Sequence, residues 1–425
     1  MSNTLELHTL DLFTGMGGFH VAAQRNGYIT NIAASEIDNY NIKFIDRNLN
    51  LENAGDITNI AIERNNHPHQ EYMDEDLVPC EQDKMGFTSL TMQDFYEDIV
   101  EWPDIITGGF PCQNLSSANV QDTSGITGDK SGLVYEQLRI IQNLEPDYCI
   151  FENSPKLIAQ GLDKILIELN EMGYIVEYET IAATGFGYPH YRHRCYVVAY
   201  LPTSKLSLSG LSAFKYVRER AQVTPDERIP LIEGNETQIS SMAVVEDPKS
   251  IKLRSKRLNS IGNAVIPDIP EAIFDVITEV EQSTPSNKSI DCPRDTNETL
   301  HSKLVAGKWV NIQEDSFMTD LFSEPLASEI KELPAKGRMC QGVLSTGTRN
   351  YLVNPKKNKY PGLYPTPISR DGNNNFSCLS RLSRPGGLGG VVGYIMEHCG
   401  VRSGGLNPEF SEQLMGYEKN YSKLK

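Results

Sequence analysis

Short apolar runs recur along the first two thirds of the chain, and several stop at a glycine turn or an acidic residue. Residues 7–13 alternate and then run apolar into Thr14-Gly15-Met16-Gly17-Gly18-Phe19-His20, after which Val21-Ala22-Ala23-Gln24 suits a helix. Residues 28–35 read as a second strand ending at Glu36, and 104–107 as the end of a buried strand that stops at Gly108-Gly109. Helical spacing over 131–141 is followed by an apolar strand at 146–151, which ends at Glu152-Asn153, and by a return helix at 157–172. Residues 173–183 and 195–200 supply two more strands, and 269–280 a closing helix. Strands alternating with helices predict an α/β, Rossmann-like domain with a mostly parallel sheet over residues 1–281.

Two stretches are less regular. Residues 202–250 show no usable period, and 57–100 contain an acidic, polar excursion (Glu71, Asp74, Glu75, Asp76, Glu81, Asp83). Gly55-Asp56-Ile57-Thr58 and Thr91-Met92-Gln93-Asp94-Phe95 both have the form of a third-strand edge, which leaves Asp56 and Asp94 as rivals. A polar segment at 282–302 reads as a linker. Residues 303–425 are Gly-rich without long periodic runs, as expected of a smaller, irregular, loop-dominated recognition domain.

Charge changes this picture. The formal net charge of -17 falls entirely on residues 1–150, with 7 Lys+Arg against 24 Asp+Glu, while residues 336–406 carry 10 basic and 2 acidic side chains. The acidic total therefore does not exclude phosphate contacts by one face. No run of eighteen apolar residues occurs and the first residues do not read as a signal peptide, so a cytoplasmic protein without membrane contact is expected. Eight widely spaced cysteines offer neither a Cys-x-x-Cys metal pair nor a disulfide framework; no metal is expected.

Cys112 follows Gly108-Gly109-Phe110-Pro111 and so sits on a tight turn at the carboxyl edge of the sheet, where open α/β sheets place ligands. Pro111 stiffens that turn. The plainer alternative is a buried structural cysteine. The Gly15–Gly18 loop brings backbone N–H groups close to a ligand, and Glu36, after the second strand, stands where a ribose presents its hydroxyls. An ordinary turn and a surface Glu are the plainer alternatives. Cys112 and Glu152, each after a strand end, are expected to share one rim of the sheet; on an extended chain Arg192 and Arg194 point the same way, two guanidiniums on one face, though a solvated pair would look alike in sequence. Together these parts suit methyl transfer to the 5-carbon of cytosine, which is a poor nucleophile until a thiolate adds to the adjacent 6-carbon. Cys112 would be that nucleophile, Glu152 would hydrogen-bond the 3-nitrogen, Arg194 the 2-oxo group, and Arg192 phosphate or the cysteine loop. A Cys112–His190 hydrolase dyad would leave the glycine loop and Glu36 idle.

In order, Asp11-Leu12-Phe13-x-Gly15-x-Gly17-Gly18, Gly109-Phe110-Pro111-Cys112-Gln113, Glu152-Asn153, Arg192-x-Arg194 and Gly262-Asn263-Ala264-Val265 resemble the DNA (cytosine-5-)-methyltransferase family. The resemblance implies S-adenosylmethionine as cofactor, with Phe13 against adenine, Glu36 on the ribose, and contacts from Gly15, Gly17, Gly18, Asp56 or Asp94, Pro111, Leu133 and Asn263. It implies double-stranded DNA as partner, with a target cytosine rotated out of the helix. The loop at 116–130 would close over that base, with Gln113 and Ser116 near DNA. Arg338, Lys356, Lys357 and Arg381 are candidate DNA contacts within the basic stretch. A monomer in a bacterial or phage-infected cell is expected, serving restriction-modification or phage protection. A cognate endonuclease would not be required for its activity.

The chain departs from that pattern in three ways. Ser154-Pro155 follows Glu-Asn where valine is usual, and His190 stands where a glutamine commonly begins the paired-arginine motif. Residues 266–425 follow the Gly-Asn-Ala-Val motif, which normally closes the chain, and residues 405–417 (GLNPEFSEQLMGY) resemble the segment that usually precedes it. The recognition region is therefore expected between about 285 and 405, and deletion of 285–425 is expected to spare cofactor binding.

Overall fold

The computed structural model describes residues 5–60, 102–111, 132–220, 235–283, 299–305, 308–312, 333–341, 343–347, 363–377 and 390–425. The predicted strand–glycine–helix start is present as β1 (Leu7–Leu12) and α1 (Gly18–Asn26), followed by β2 (Ile29–Ser35) and α2 (Asn39–Phe44). Next come β3 (Ile105–Gly108), α3 (Val134–Leu144) and β4 (Tyr148–Asn153). The expected return helix is broken into α4 (Leu157–Gln160) and α5 (Leu162–Glu171) by Gly161, whose φ of 146° no helix accommodates. Then β5 (Ile175–Ala182) and β6 (His193–Tyr200) complete the predicted strands.

The sheet runs β2-β1-β3-β4-β6-β5, parallel from β2 to β4, with β6 antiparallel to both of its neighbours. Every residue of β4 and β5 is buried. This follows from having helices on both faces, which turns a strand into a continuous apolar run. Alternate residues divide between two cores: Cys149, Phe151, Cys195 and Val197 meet α3 and α5 on one face. Tyr148, Ile150, Tyr196 and Val198 meet α1 and the long closing helix on the other.

The stretch without a readable period, 202–250, forms short helices α6 (Lys205–Ser209), α7 (Lys215–Arg220) and α8 (Glu236–Ala243), then a two-residue strand, β7 (Val244–Val245). After it come α9 (Arg254–Asn263) and the closing helix α10 (Asp268–Gln282). Leu206 and Val217 share the second core with Ile273 and Phe274 of α10.

The region expected to be loop-dominated contains β8 (Thr299–Val305), β9 (Lys308–Ile312), β10 (Lys336–Cys340) and β11 (Val343–Gly347). These continue the same sheet, in order β5-β10-β11-β8-β9, all antiparallel. Residues 299–302, expected in the linker, are already strand. Last come α11 (Gly390–His398), β12 (Gly405–Leu406), paired with β7, and α12 (Pro408–Leu414). A third core joins them: Ile239 and Leu258 pack with Tyr364, Phe376, Val392, Leu406 and Phe410. Among the described residues no helix is long and apolar enough to cross a membrane.

Candidate active site

The glycine loop leaves the carboxyl end of β1 in left-handed backbone, at φ values of 58° for Phe13, 57° for Gly15 and 69° for Gly17. Phe13 is the costly member, since a side chain is disfavoured there and such outliers gather at ligand sites. The loop is tied down by Thr14 N–H to Ser35 O (3.1 Å), Thr14 Oγ1 to Asp11 O (2.7 Å) and Gly17 N–H to Thr14 O (2.8 Å). A Cβ on Gly18 would meet Val265 Cβ at 2.7 Å and its carbonyl oxygen at 2.9 Å. Glycine at 18 is what lets the Gly-Asn-Ala-Val segment lie against the loop.

Glu36 ends β2 with its carboxylate fixed. Oε1 accepts from the amides of Ile37 (2.7 Å) and Asp38 (2.8 Å), and Oε2 from the amide of Gly15 (2.8 Å). Beside it Ile37 is 63% exposed, an apolar surface that the sequence reading did not single out. Its signal was available: a large aliphatic residue directly after a strand-ending carboxylate has no core to join. A carboxylate for a diol, apolar surface at Ile37 and glycine-loop amides form a donor set that suits an adenosyl cofactor. Asp56 Oδ1 accepts from Thr58 N–H (3.0 Å) and Oγ1 (2.9 Å), capping a short turn, while Asp94 lies outside the described residues. Leu133 is half-buried at the start of α3, and Asn263 is exposed at the end of α9.

At the base of the loop Asp11 is fully buried. Its Oδ1 accepts from Thr107 Oγ1 at 2.8 Å, joining the ends of β1 and β3, while Oδ2 has no partner. Burial pushes its pKa up to about 7, the Thr107 bond opposing and the Glu36 charge adding.

The second rim is built by register. Gly108 of β3 pairs with Phe151 of β4, so Gly109 comes level with Glu152, and a Cβ at 109 would stand 3.3 Å from Glu152 Oε2. Asn153 Nδ2 donates to Phe110 O at 3.2 Å. The turn that leads into Cys112 is thus held against Glu152-Asn153. Cys112 lies outside the described residues, as do Gln113, Ser116, the 116–130 loop, Lys356, Lys357 and Arg381. In β6, Cys195 pairs with Asn153, which brings the neighbouring Arg194 to the same edge. Its Nε lies 2.8 Å from Glu152 Oε1, an ion pair rather than an aligned hydrogen bond.

Arg192 departs from its expected role. It is 2% exposed, and its two terminal nitrogens donate to Gly262 O (3.2 Å) and Ala264 O (2.5 Å). Burial and the neighbouring Arg194 charge push it down to about 9, which leaves it cationic at neutral pH. A guanidinium enclosed in this way braces the Gly-Asn-Ala-Val segment and does not reach a phosphate. His190 is 0% exposed, with Nε2 2.7 Å from Leu414 O. Burial and the two arginines push it down to about 3, so it is neutral and donates from Nε2. Enclosed and spent on a carbonyl, it is no base for a hydrolase dyad. Arg338 pairs with Glu177 near the start of β5, and its guanidinium lies 6.0 Å from the Tyr200 ring centroid, at the opposite edge of the sheet from Glu152. The antiparallel docking of β10 carries it there, away from the rim that holds Glu152 and Arg194.

A family model described as C-5 cytosine-specific DNA methylase matches residues 7–254. The type II methyltransferase M.BsuFI of Bacillus subtilis is 26% identical over 243 residues, covering 56% of this chain and 48% of the relative. M.AluI of Cellulosimicrobium cellulans is 26% identical over 256 residues, covering 58% and 40%. M.Sau3AI of Staphylococcus aureus is 38% identical over 105 residues, covering 23% and 26%. The chain spans about half the length or less of these curated relatives. With a glycine loop, the Gly109–Pro111 turn, a Glu-Asn strand end and Arg194 on one sheet edge, and a match over more than half its length, the chain belongs to the C-5 cytosine-specific DNA methylase family.

Proposed function

We propose that this protein methylates the 5-carbon of cytosine within a specific duplex DNA sequence, with S-adenosylmethionine, in a restriction-modification or phage-protection setting in the cytoplasm. One observation carries the reading: the turn entering Cys112 packs against Glu152, which Arg194 pairs from the other side. The cofactor would be held by the Phe13–Gly18 loop, Glu36 and Ile37. When bound, it supplies an electrophilic methyl group.

Cys112, as thiolate, adds to the 6-carbon of a flipped cytosine, and the electron pair moves onto the 5-carbon. A proton shared between the 3-nitrogen and the Glu152 oxygen that faces Gly109 makes the hydrogen bond that drains charge from the ring, while Arg194 holds the other Glu152 oxygen and reaches the 2-oxo group. After the methyl group is on the 5-carbon, a base removes the 5-proton, the C–S bond breaks and the ring is aromatic again. Arg192 keeps residues 262–264 beside the glycine loop throughout. Residues 285–405 would recognise the target sequence, with residues after 405 as their support.

Incubating the protein with duplex DNA and labelled S-adenosylmethionine, then mapping 5-methylcytosine, tests the reading. Transfer to one short recurrent sequence is expected. Cys112→Ala should keep cofactor and DNA binding but lose product by more than about 10³-fold. Cofactor binding without transfer to any mixed-sequence DNA would defeat the proposal.

A further inference from the structure

The stretch from Gly405 to Ser422 touches α9, His190, Val265 and the glycine loop. Leu406 O accepts from Arg254 Nε (2.8 Å), and Leu414 O is the partner of His190. Past Gly416 the chain turns toward the glycine loop. There Tyr417 Oη donates to Val265 O at 2.6 Å and Tyr421 Oη donates to Met16 O at 2.8 Å, with the two rings stacked at 4.6 Å. The Tyr417 hydroxyl stands 3.0 Å from where a Cβ on Gly18 would sit, and the Tyr421 hydroxyl 3.6 Å from one on Gly17.

The segment is anchored from beneath. Arg257 and Glu412 form a buried ion pair at 2.7 Å, and Ser422 joins it through Arg257 Nε (2.9 Å) and Glu412 Oε1 (3.1 Å to its amide). Tyr40 Oη donates to Ser422 O. Two hydroxyls on a fixed support therefore hold one carbonyl of the glycine loop and one of the segment packed against it. A held carbonyl fixes the plane of its peptide, and with it the direction of the next amide. Two tyrosines four positions apart after Gly416 were the signal in the sequence, though an aromatic pair at that spacing is most often core packing.

We propose that Tyr417 and Tyr421 are positioning residues of the cofactor pocket, so that the glycine loop is completed by a segment lying beyond the recognition region. This rests on the reading of that loop as the S-adenosylmethionine site. Tyr421→Phe and Tyr417→Phe, made singly in the full chain, delete one hydroxyl each and keep the rings. By calorimetry and steady-state kinetics, Kd and KM for S-adenosylmethionine should rise about 5- to 10-fold in each. At saturating cofactor, kcat and DNA affinity should stay within about twofold.

Tyr174→Phe is the control. Tyr174 Oη also donates to a backbone carbonyl, that of Pro146, at 2.8 Å, in a buried position at the far edge of the sheet. It should lower Tm without changing cofactor affinity. Wild-type affinity in both tyrosine variants, or an equal loss of affinity in Tyr174→Phe, overturns the proposal. If the wild-type protein binds no S-adenosylmethionine, the parent reading of the glycine loop fails first, and this one with it.

Discussion

The two arginines of the paired motif show how much a single position decides. Their sequence spacing predicts two guanidiniums on one face, but burial separates their work: Arg192 is spent on two carbonyls, whereas Arg194 faces Glu152. Arg192→Lys cannot make two parallel bonds, and it should cost about 1–3 kcal/mol of stability, read from the denaturant midpoint. Arg194→Lys should leave that midpoint nearly unchanged and lower kcat. Equal effects of the two substitutions on both measurements would contradict the assignment. Asp11 makes a second residue-level case. With its pKa raised to about 7 the folded protein binds this proton more tightly than the unfolded chain, so its contribution to stability is present below about 4 and lost as pH rises through about 7. His20, buried and pushed down to about 4, acts in the opposite sense: its contribution is present above about 6.5 and lost as pH falls toward 4. Asp11→Asn should keep the Thr107 contact and flatten the fall in Tm between pH 5 and 8; an unaltered slope would show that Asp11 is ionised in the fold.

At the level of elements, α9 is the part on which neighbours converge. A Cβ on Gly262 would come within 2.3 Å of Ile368 C and Ser369 N, both backbone, so Gly262→Ala must push the turn at 369–373 away from the helix. The expected cost is about 1–3 kcal/mol, with loss of methyl transfer; a thermal melt matching wild type would exclude that close approach. The strands of the first half were legible because each apolar run ends at a residue with a reason to be there: Gly108 for the turn, Glu36 and Glu152 for the rim. β10 and β11 were not. Lys336-Gly337-Arg338 has no alternation, and the glycine is there because the Tyr178 ring fills the space a side chain would take, at 2.8 Å from a Cβ. That packing depends on β5, more than 150 positions earlier, and no local pattern carries it. The bracing role of Arg192 was hidden for the same reason, since both its partners lie about 70 positions downstream.

For the molecule as a whole, the strands after residue 299 continue the sheet of the first half, which among the described residues has ten strands. Residues 405–422 return to α9, Val265 and the glycine loop. A chain ended at residue 404 should therefore bind S-adenosylmethionine more than about tenfold more weakly than the full chain. Calorimetry showing undiminished affinity would restore the expectation that residues after 285 are dispensable for the cofactor.

The bond from Tyr421 to Met16 spans 405 positions. A ribosome makes the glycine loop 405 positions before the tyrosine that holds it, so this closure cannot form until residue 421 has been added. A nascent or prematurely stopped polypeptide would carry the cysteine turn and the paired arginines while still lacking the hydroxyl that steadies Met16, and the loop would reach its final shape only once synthesis had passed residue 421.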